Sequence, residues 1–595
     1  MKKRRDTSDD PGPGNRSSAG ARTFTSYRVG ALPILGRVIA RAKLAEFLGG
    51  FMVEDKRCTV SPVCGVLLLL INYLVSPEPI YGVGEWARQF RPELLGLSTH
   101  QVSSLNDDRV GRCLDRLFEA DCSSLVLTVT RHVVEEFGID LSEIHNDSTT
   151  VTLFGKYAGA STETTVKVRT APAITWGHNK DHRPDLKQLL YNLTISSDGA
   201  VPIVYGVENG NVTDDKTHQG NWDLVCQIIG GPGFIYVADG KLATYENMSH
   251  IARRGGRFLS VLPRTRSEDK AFRQTLLTGS VEWEEVHKRN DDNGVLVDVV
   301  RAWKQPATTS DGFRLLWFHS SRKVELDRQA RGNRVRRGIG MLSSLRLKFR
   351  SPRTRYTEES QVAKAVAKCL AEVGATEWIT VEILPEDREV FHQDGPGRPG
   401  PNTKYRKEVK KRFDIKFYEN RHAIEEAEKQ DGIFPLVTND RSLSVKDVLL
   451  TYKRQAQVEK RFSQLKTQFQ VAPVFLKSVH RVVALLTIYY LALLIQALLE
   501  REIRRSMRDA KIDPLPLYPE DRECKAPTTR RIIDLFENIQ FHDLHTPEET
   551  HRSASPPSSP HSNVTSYVFC ASPRSTTMPD GHRNPAEIAA ETRGK

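Results

Sequence analysis

The chain has 595 residues, of which 39% are hydrophobic and 27% charged, with a net charge of +12. That balance describes a globular protein of several domains and excludes a largely disordered chain, and its positive excess favours a polyanionic partner, nucleic acid before membrane. Eight cysteines without a CxxC pair exclude a disulfide framework or a zinc ribbon and fit the reduced thiols of a cytosolic protein.

Residues 1–24 begin with a basic run, Lys2 to Arg5, and stay polar through Gly20. They lack the apolar stretch of a secretory leader and are expected to be a disordered basic tail. Residues 25–138 read as a helical N-terminal domain. Ser61 is an N-cap followed by Pro62 and an apolar run to Tyr73, and Asp108 to Phe118 and Cys122 to Phe137 are amphipathic helices. No helix-turn-helix turn is recognisable, so DNA reading and packing or dimerisation both stay open as this domain's role.

At Leu141 the texture changes. Glu143 to Phe154 is β-branched and partly alternating, a strand with Asp147 in its interior. Leu189 to Ser196 and Val201 to Val207 flank the turn Ser197-Asp198-Gly199 as a hairpin. Asp215 to Ile229 is a helix ended by Gly230 and Gly231, and Phe234 to Ala238 is a short apolar strand ending at Asp239. A helix over Leu242 to Arg253 and a strand over Arg257 to Leu262 follow. This order predicts a mixed α/β sheet with helices on its faces; if the first and fourth strands are neighbours, Asp147 and Asp239 converge at one sheet edge.

Residues 264–435 interrupt the unit with mixed texture. Between Arg328 and Arg355 stand ten Arg/Lys and no acid, a run that argues for phosphate contact, with Arg334, Arg336 and Arg337 at its centre. A strand at Gly432 to Thr438 leads through Ser444 or Asp447 into a helix. On one unbroken helix at about 100° per residue, Tyr452, Gln455, Glu459 and Lys466 fall within an arc of roughly 60°. Val458, Phe462, Leu465 and Phe469 form the core-facing stripe beside them. Val482 to Leu499 is uncharged and reaches membrane-span length, but as a single segment with Gln496 and two tyrosines inside it reads as a buried core helix. Residues 546–595 are expected to be a second disordered tail.

Three carboxylates on a central strand, at a strand end and on a later helix suit the holding of two oxygen-loving divalent cations against a phosphodiester. Here the chain resembles the DDE transposases of bacterial insertion sequences, in Asp147 of IHNDSTTV, Asp239 of FIYVADGKLAT and the segment Tyr452 to Lys466. That segment is similar to the family's Y-x2-R-x3-E-x6-K signature, except that Gln455, preceded by Arg454, stands at the arginine position. HNKDHRPDLKQ (178–188), DGIFPLVTND (431–440) and PTTRRIIDLF (527–536) also resemble the group.

The resemblance implies an RNase H-like catalytic core in two parts, 139–263 and 436–545. Between them, 264–435 would be an inserted, partly β-rich domain that helps hold the transposon end. Asp147, Asp239 and Glu459 would be the metal-binding catalytic triad, holding Mg²⁺ or Mn²⁺ as two ions. Tyr452, Lys466 and Arg454 would contact DNA near the cut. The implied activity is cleavage and joining of transposon ends; the alternative is a transposase-derived DNA-binding protein without catalysis. The implied partners are double-stranded DNA (terminal inverted repeats and target) and a second copy in a synaptic dimer, with no membrane, in the cytoplasm at a bacterial nucleoid. In related enzymes a tryptophan stacks on a flipped base; Trp283, Trp303 and Trp317 are candidates, a core position being the commoner role for each. Asp181 and Asp185, in a loop rich in His, Asn, Lys and Pro, read as turn formers or salt-bridge partners.

Overall fold

Glu143–Leu153 forms the longest strand of the central sheet (β1), in which the run Thr149-Thr150-Val151-Thr152 favours the extended backbone. Lys187–Ser196 (β2) and Pro202–Glu208 (β3) form the hairpin, antiparallel to β1 and to each other. His218–Ile229 is helical and ends at Gly230 in the left-handed conformation, after which Ile235–Val237 (β4) lies parallel to β1 with all three residues buried. A helix over Tyr245–Arg253 returns the chain to Arg257–Val261 (β5), parallel to β4. The five strands stand in the order β3-β2-β1-β4-β5, that of an RNase H-like core. This is a computed structural model, which describes residues 23–554 apart from 56, 158–159, 161, 167–168, 292, 352–353, 470–475, 513, 519–521 and 546–549. The expected tails, 1–24 and 546–595, lie almost wholly outside the described residues.

The stretch 264–435 divides into two structural parts. Trp283–Asn290 (β6), Leu296–Trp303 (β7) and Arg314–Ser320 (β8) extend the same sheet, joined to β5 through a later strand. The helices Ser321–Arg350 (α1) and Glu359–Val373 (α2) then pack with a two-stranded ribbon, Ile379–Gln393 (β9) and Tyr405–Glu419 (β10), around a separate small core that includes Leu342, Val362 and Ile415. Ile433–Thr438 (β11) brings the chain back and pairs antiparallel with both β5 and β8.

After β11 come Val445–Lys453 (α3), capped by Ser444, and Ala456–Ser463 (α4). Val479–Asp509 (α5) is long and apolar enough to cross a membrane, yet 94% of its most apolar stretch is buried inside the protein. The N-terminal helices, among them Pro62–Val75 with Ser61 as its cap, pack on it, and they share one continuous core with the sheet. A buried pair, Arg461 to Glu500 at 3.0 Å, fastens α4 to α5.

Candidate active site

Alternate residues of a strand share a face, so Glu143, His145 and Asp147 form one row along β1. The segment after α3 lies across this row. Arg454 makes a two-pronged ion pair with Glu143, at 2.6 and 2.5 Å. Gln455, buried, accepts at Oε1 from His145 Nδ1 at 2.9 Å and donates from Nε2 to the Asn146 carbonyl at 2.8 Å. His145 Nε2 lies 2.7 Å from Glu143. Although burial opposes it, the Arg454 guanidinium and His145 hold the Glu143 carboxyl down to about 2.

One sequence expectation changes here. The helix expected to run unbroken from Tyr452 to Lys466 is α3, α4 and a π-helical turn over Gln464–Gln468, with the break at Arg454 and Gln455. These two residues sit at the break and reach β1, one binding its acid and the other its backbone. Arg454 is engaged by Glu143 with 40% of its side chain exposed. The buried stripe of Val458, Phe462, Leu465 and Phe469 holds across the break.

One position further along the row stands Asp147. The β1–β4 ladder pairs Glu143 with Ile235 and His145 with Val237, an offset of 92 residues (235 − 143). Carried two residues on, the same offset sets Asp239 beside Asp147. Burial, together with the nearby Asp239 and Asp214 carboxylates, pushes the Asp147 carboxyl up to about 6, against the pull of Lys180 and the Ser148 N–H. Tyr452 is largely buried above them. Its phenol is raised well beyond the usual range, first by burial and then by the carboxylates of Asp239, Glu459 and Asp147. Glu459 itself is exposed on α4. Sequence reasoning missed two further neighbours. Asp214 ion-pairs with Lys180 at 2.8 Å, and His218 is 2% exposed with its Nε2 unpartnered and its imidazole held neutral by burial.

Lys466, in the π turn, is ion-paired to Asp181 at 2.6 Å, and Asp185 to Arg183 at 2.7 Å, the salt-bridge role expected of both acids. Arg334, Arg336 and Arg337 are exposed on α1, in the separate small lobe. In the same acid-free run Arg331 is buried against Asp431, and Arg346 clasps Asp414 with two bonds of 2.7 Å, so these two serve the fold. Trp317, stacked on Phe272 at 3.9 Å, shares one aromatic cluster with Trp303 and Trp283. Trp176, which sequence reasoning passed over, is 57% exposed beside the 178–188 loop, with the Lys187 amine 4.8 Å from its ring.

Among the described residues no three His, Cys, Asp or Glu side chains form a ready metal cage. The donor set nevertheless suits a hard divalent cation: carboxylate oxygens on a strand and just past the end of its neighbour, one of them raised by burial and then by its acidic neighbours, with a lysine ammonium already drawn to the gap.

A family model described as "Transposase DDE domain" matches residues 143–495, and one described as a domain of unknown function, DUF4277, matches residues 24–130. No curated protein matches the chain. Among solved structures, a cryo-EM structure of the piggyBac transposase synaptic complex with hairpin DNA aligns over 87% of this chain and 81% of that one, at 8% identity and a TM-score of 0.34.

Proposed function

This chain belongs to the DDE transposase family, whose members cut and join DNA with divalent metal ions, and we propose that it is an insertion-sequence transposase acting through Asp147, Asp239 and Glu459. The observation that supports the reading is the parallel register of β1 and β4, whose offset, carried past the end of β4, brings Asp239 level with Asp147, both near the Tyr452 phenol that Glu459 also approaches.

In this reading the three carboxylates hold two divalent cations, Mg²⁺ or Mn²⁺. Bound there, such cations supply an activated oxygen nucleophile and charge neutralisation for in-line displacement at a phosphodiester. The chain's own residues prepare the ground. Tyr452, neutral and largely buried, keeps its hydroxyl as a donor near the acids. Arg454 and Gln455 fix the break between α3 and α4 to β1, so that Tyr452 and Glu459 approach the sheet from one side. Lys466 contacts the phosphate backbone near the cut. Arg334, Arg336 and Arg337 give phosphate contacts at a distance from it, and because two ends must be brought together, two copies act on one DNA complex.

A supercoiled-plasmid nicking assay tests this. Wild-type protein nicks with Mg²⁺ and not with EDTA, and Asp147→Ala, Asp239→Ala and Glu459→Ala do not nick. Equal nicking by wild type and the alanine variants removes these acids from catalysis. DNA binding without any metal-dependent nicking leaves a transposase-derived binding protein.

A further inference from the structure

The loop 178–188 is built against the candidate site by contacts that packing alone does not require. At its base Gly177 lies so close to the Gly210 carbonyl, and Gly210 to the Gln188 carbonyl, that a Cβ on either would collide with backbone. Asn179, buried, donates to Thr152 Oγ1 at 3.2 Å and accepts from the Asp181 N–H at 2.8 Å. The Lys180 N–H donates to Thr150 Oγ1 at 3.2 Å, and Thr152 donates to Asp181 at 2.9 Å. Both threonines belong to β1. His182, next in the loop, holds a left-handed backbone at φ +58°, uncommon outside glycine though better tolerated by histidine than by most residues.

Two adjacent side chains of this loop carry opposite charges to opposite kinds of partner. The Lys180 ammonium donates to the Ser148 carbonyl and hydroxyl at 2.6 and 2.9 Å, and lies 2.8 Å from Asp214 and 3.8 Å from Asp147. The Asp181 carboxylate lies 2.6 Å from Lys466 Nζ. A lysine ammonium is a compact charge on a flexible stem, the side chain best able to fill a cation's position and withdraw from it. A carboxylate pairs with an ammonium as a phosphate oxygen does.

Resting on the reading of Asp147 as a metal ligand, we propose that the 178–188 loop is a charge placeholder. Lys180 stands where a divalent cation would balance Asp147 and Asp214, and Asp181 stands where a DNA phosphate would balance Lys466. Neighbouring acids with no counter-charge repel each other, and an ammonium with no anion nearby is equally unbalanced, so the loop offsets part of the charge of the empty site. Because Lys180 and Asp181 share a peptide bond, a cation that displaces the first loosens the second. Metal and DNA then bind with positive coupling, and by linkage each strengthens the other to the same degree. Lys180 and Asp181 are in this sense positioning residues, set apart from the three acids.

The test uses the full chain and Mn²⁺ as the probe, without DNA, by calorimetric titration. Lys180→Met loses thermal stability in EDTA but binds Mn²⁺ about tenfold more tightly, since a competing positive charge a few ångström away is gone. A purely structural role would lower both. Where the methionine variant does not fold, Lys180→Gln keeps a donor for Ser148 and removes only the charge, with the same expected gain. Asp181→Asn binds a short DNA duplex several-fold more tightly in EDTA, because Lys466 is released. Mn²⁺ affinity that is unchanged or weaker in the Lys180 variants overturns the placeholder while leaving the acids as ligands. Mn²⁺ that binds Asp147→Ala as well as wild type removes the ligand reading, and this proposal with it.

Discussion

Two acids four residues apart on one face of β1 stand in opposite electrostatic states. Glu143 is fully satisfied by Arg454, His145 and Thr451, and its carboxyl is held down to about 2. Asp147 is desolvated beside Asp239 and Asp214 with a lysine and the Ser148 N–H to offset them, and its carboxyl is pushed up to about 6. The same strand supplies both, so the difference lies in what the α3–α4 segment and the 178–188 loop bring across the face. An acid that its own protein fully pairs stabilises the fold; an acid left under-paired at a cost in stability is one whose remaining charge waits for a ligand.

Removing the under-paired side should give the largest effect on activity and little loss of structure. Asp239→Asn is expected to lower metal-dependent nicking by about a thousandfold, the upper range for loss of one electrostatic group, with an unchanged circular dichroism spectrum. Removing the satisfied side should do the reverse. Glu143→Ala strands the buried His145 and frees Arg454, and should cost about 2–4 kcal/mol in urea unfolding at pH 7. The lowered carboxyl of Glu143 contributes stability that is complete above its ordinary value of 4.5 and is lost as pH falls toward about 2, so the gap between variant and wild type should close over that window. A gap independent of pH would assign the loss to packing.

Asp147→Asn sharpens the contrast because its sign is opposite. A carboxyl raised from 3.8 to about 6 disfavours the fold once ionised, so the metal-free variant should be more stable than wild type by about 1–3 kcal/mol above pH 6. The gain should shrink as pH falls and vanish below 3.8, where both states are protonated. A variant no more stable at pH 8 would mean that Lys180 already balances the site. The smallest effect on the fold belongs to the far lobe. Changing Arg334, Arg336 and Arg337 together to Ala should leave stability within about 0.5 kcal/mol. It should flatten the salt dependence of DNA binding by about one unit of slope per lost phosphate contact. An unchanged slope would make them solvent-facing charges only.

Much of the core was legible because local chemistry writes it plainly. The β-branched run of β1, the apolar β4 ending just before Asp239, the glycine stop at Gly230 and the Ser61 cap each follow from the residues on the spot. The uncharged stretch after Val482 showed itself as a helix by composition, and its burial follows from the many apolar faces packed on it. The stripe Val458, Phe462, Leu465 and Phe469 could be singled out for the same reason.

What the linear chain could not show is which long-range partners meet. The offset of 92 residues between β1 and β4 is set by pairing across the sheet, and no local propensity encodes it. Nor did periodicity reveal that the helix breaks at Arg454 and Gln455, because the cause is a glutamate and a carbonyl more than three hundred residues earlier. Arg331 and Arg346 lie in a run that reads as phosphate contacts in sequence and are instead clasped by distant acids. Residue identity decided which groups could do chemistry; only the folded arrangement of their counter-charges decided which are held in the fold and which are left for a ligand, because electrostatic pairing depends on distance in space and not along the chain.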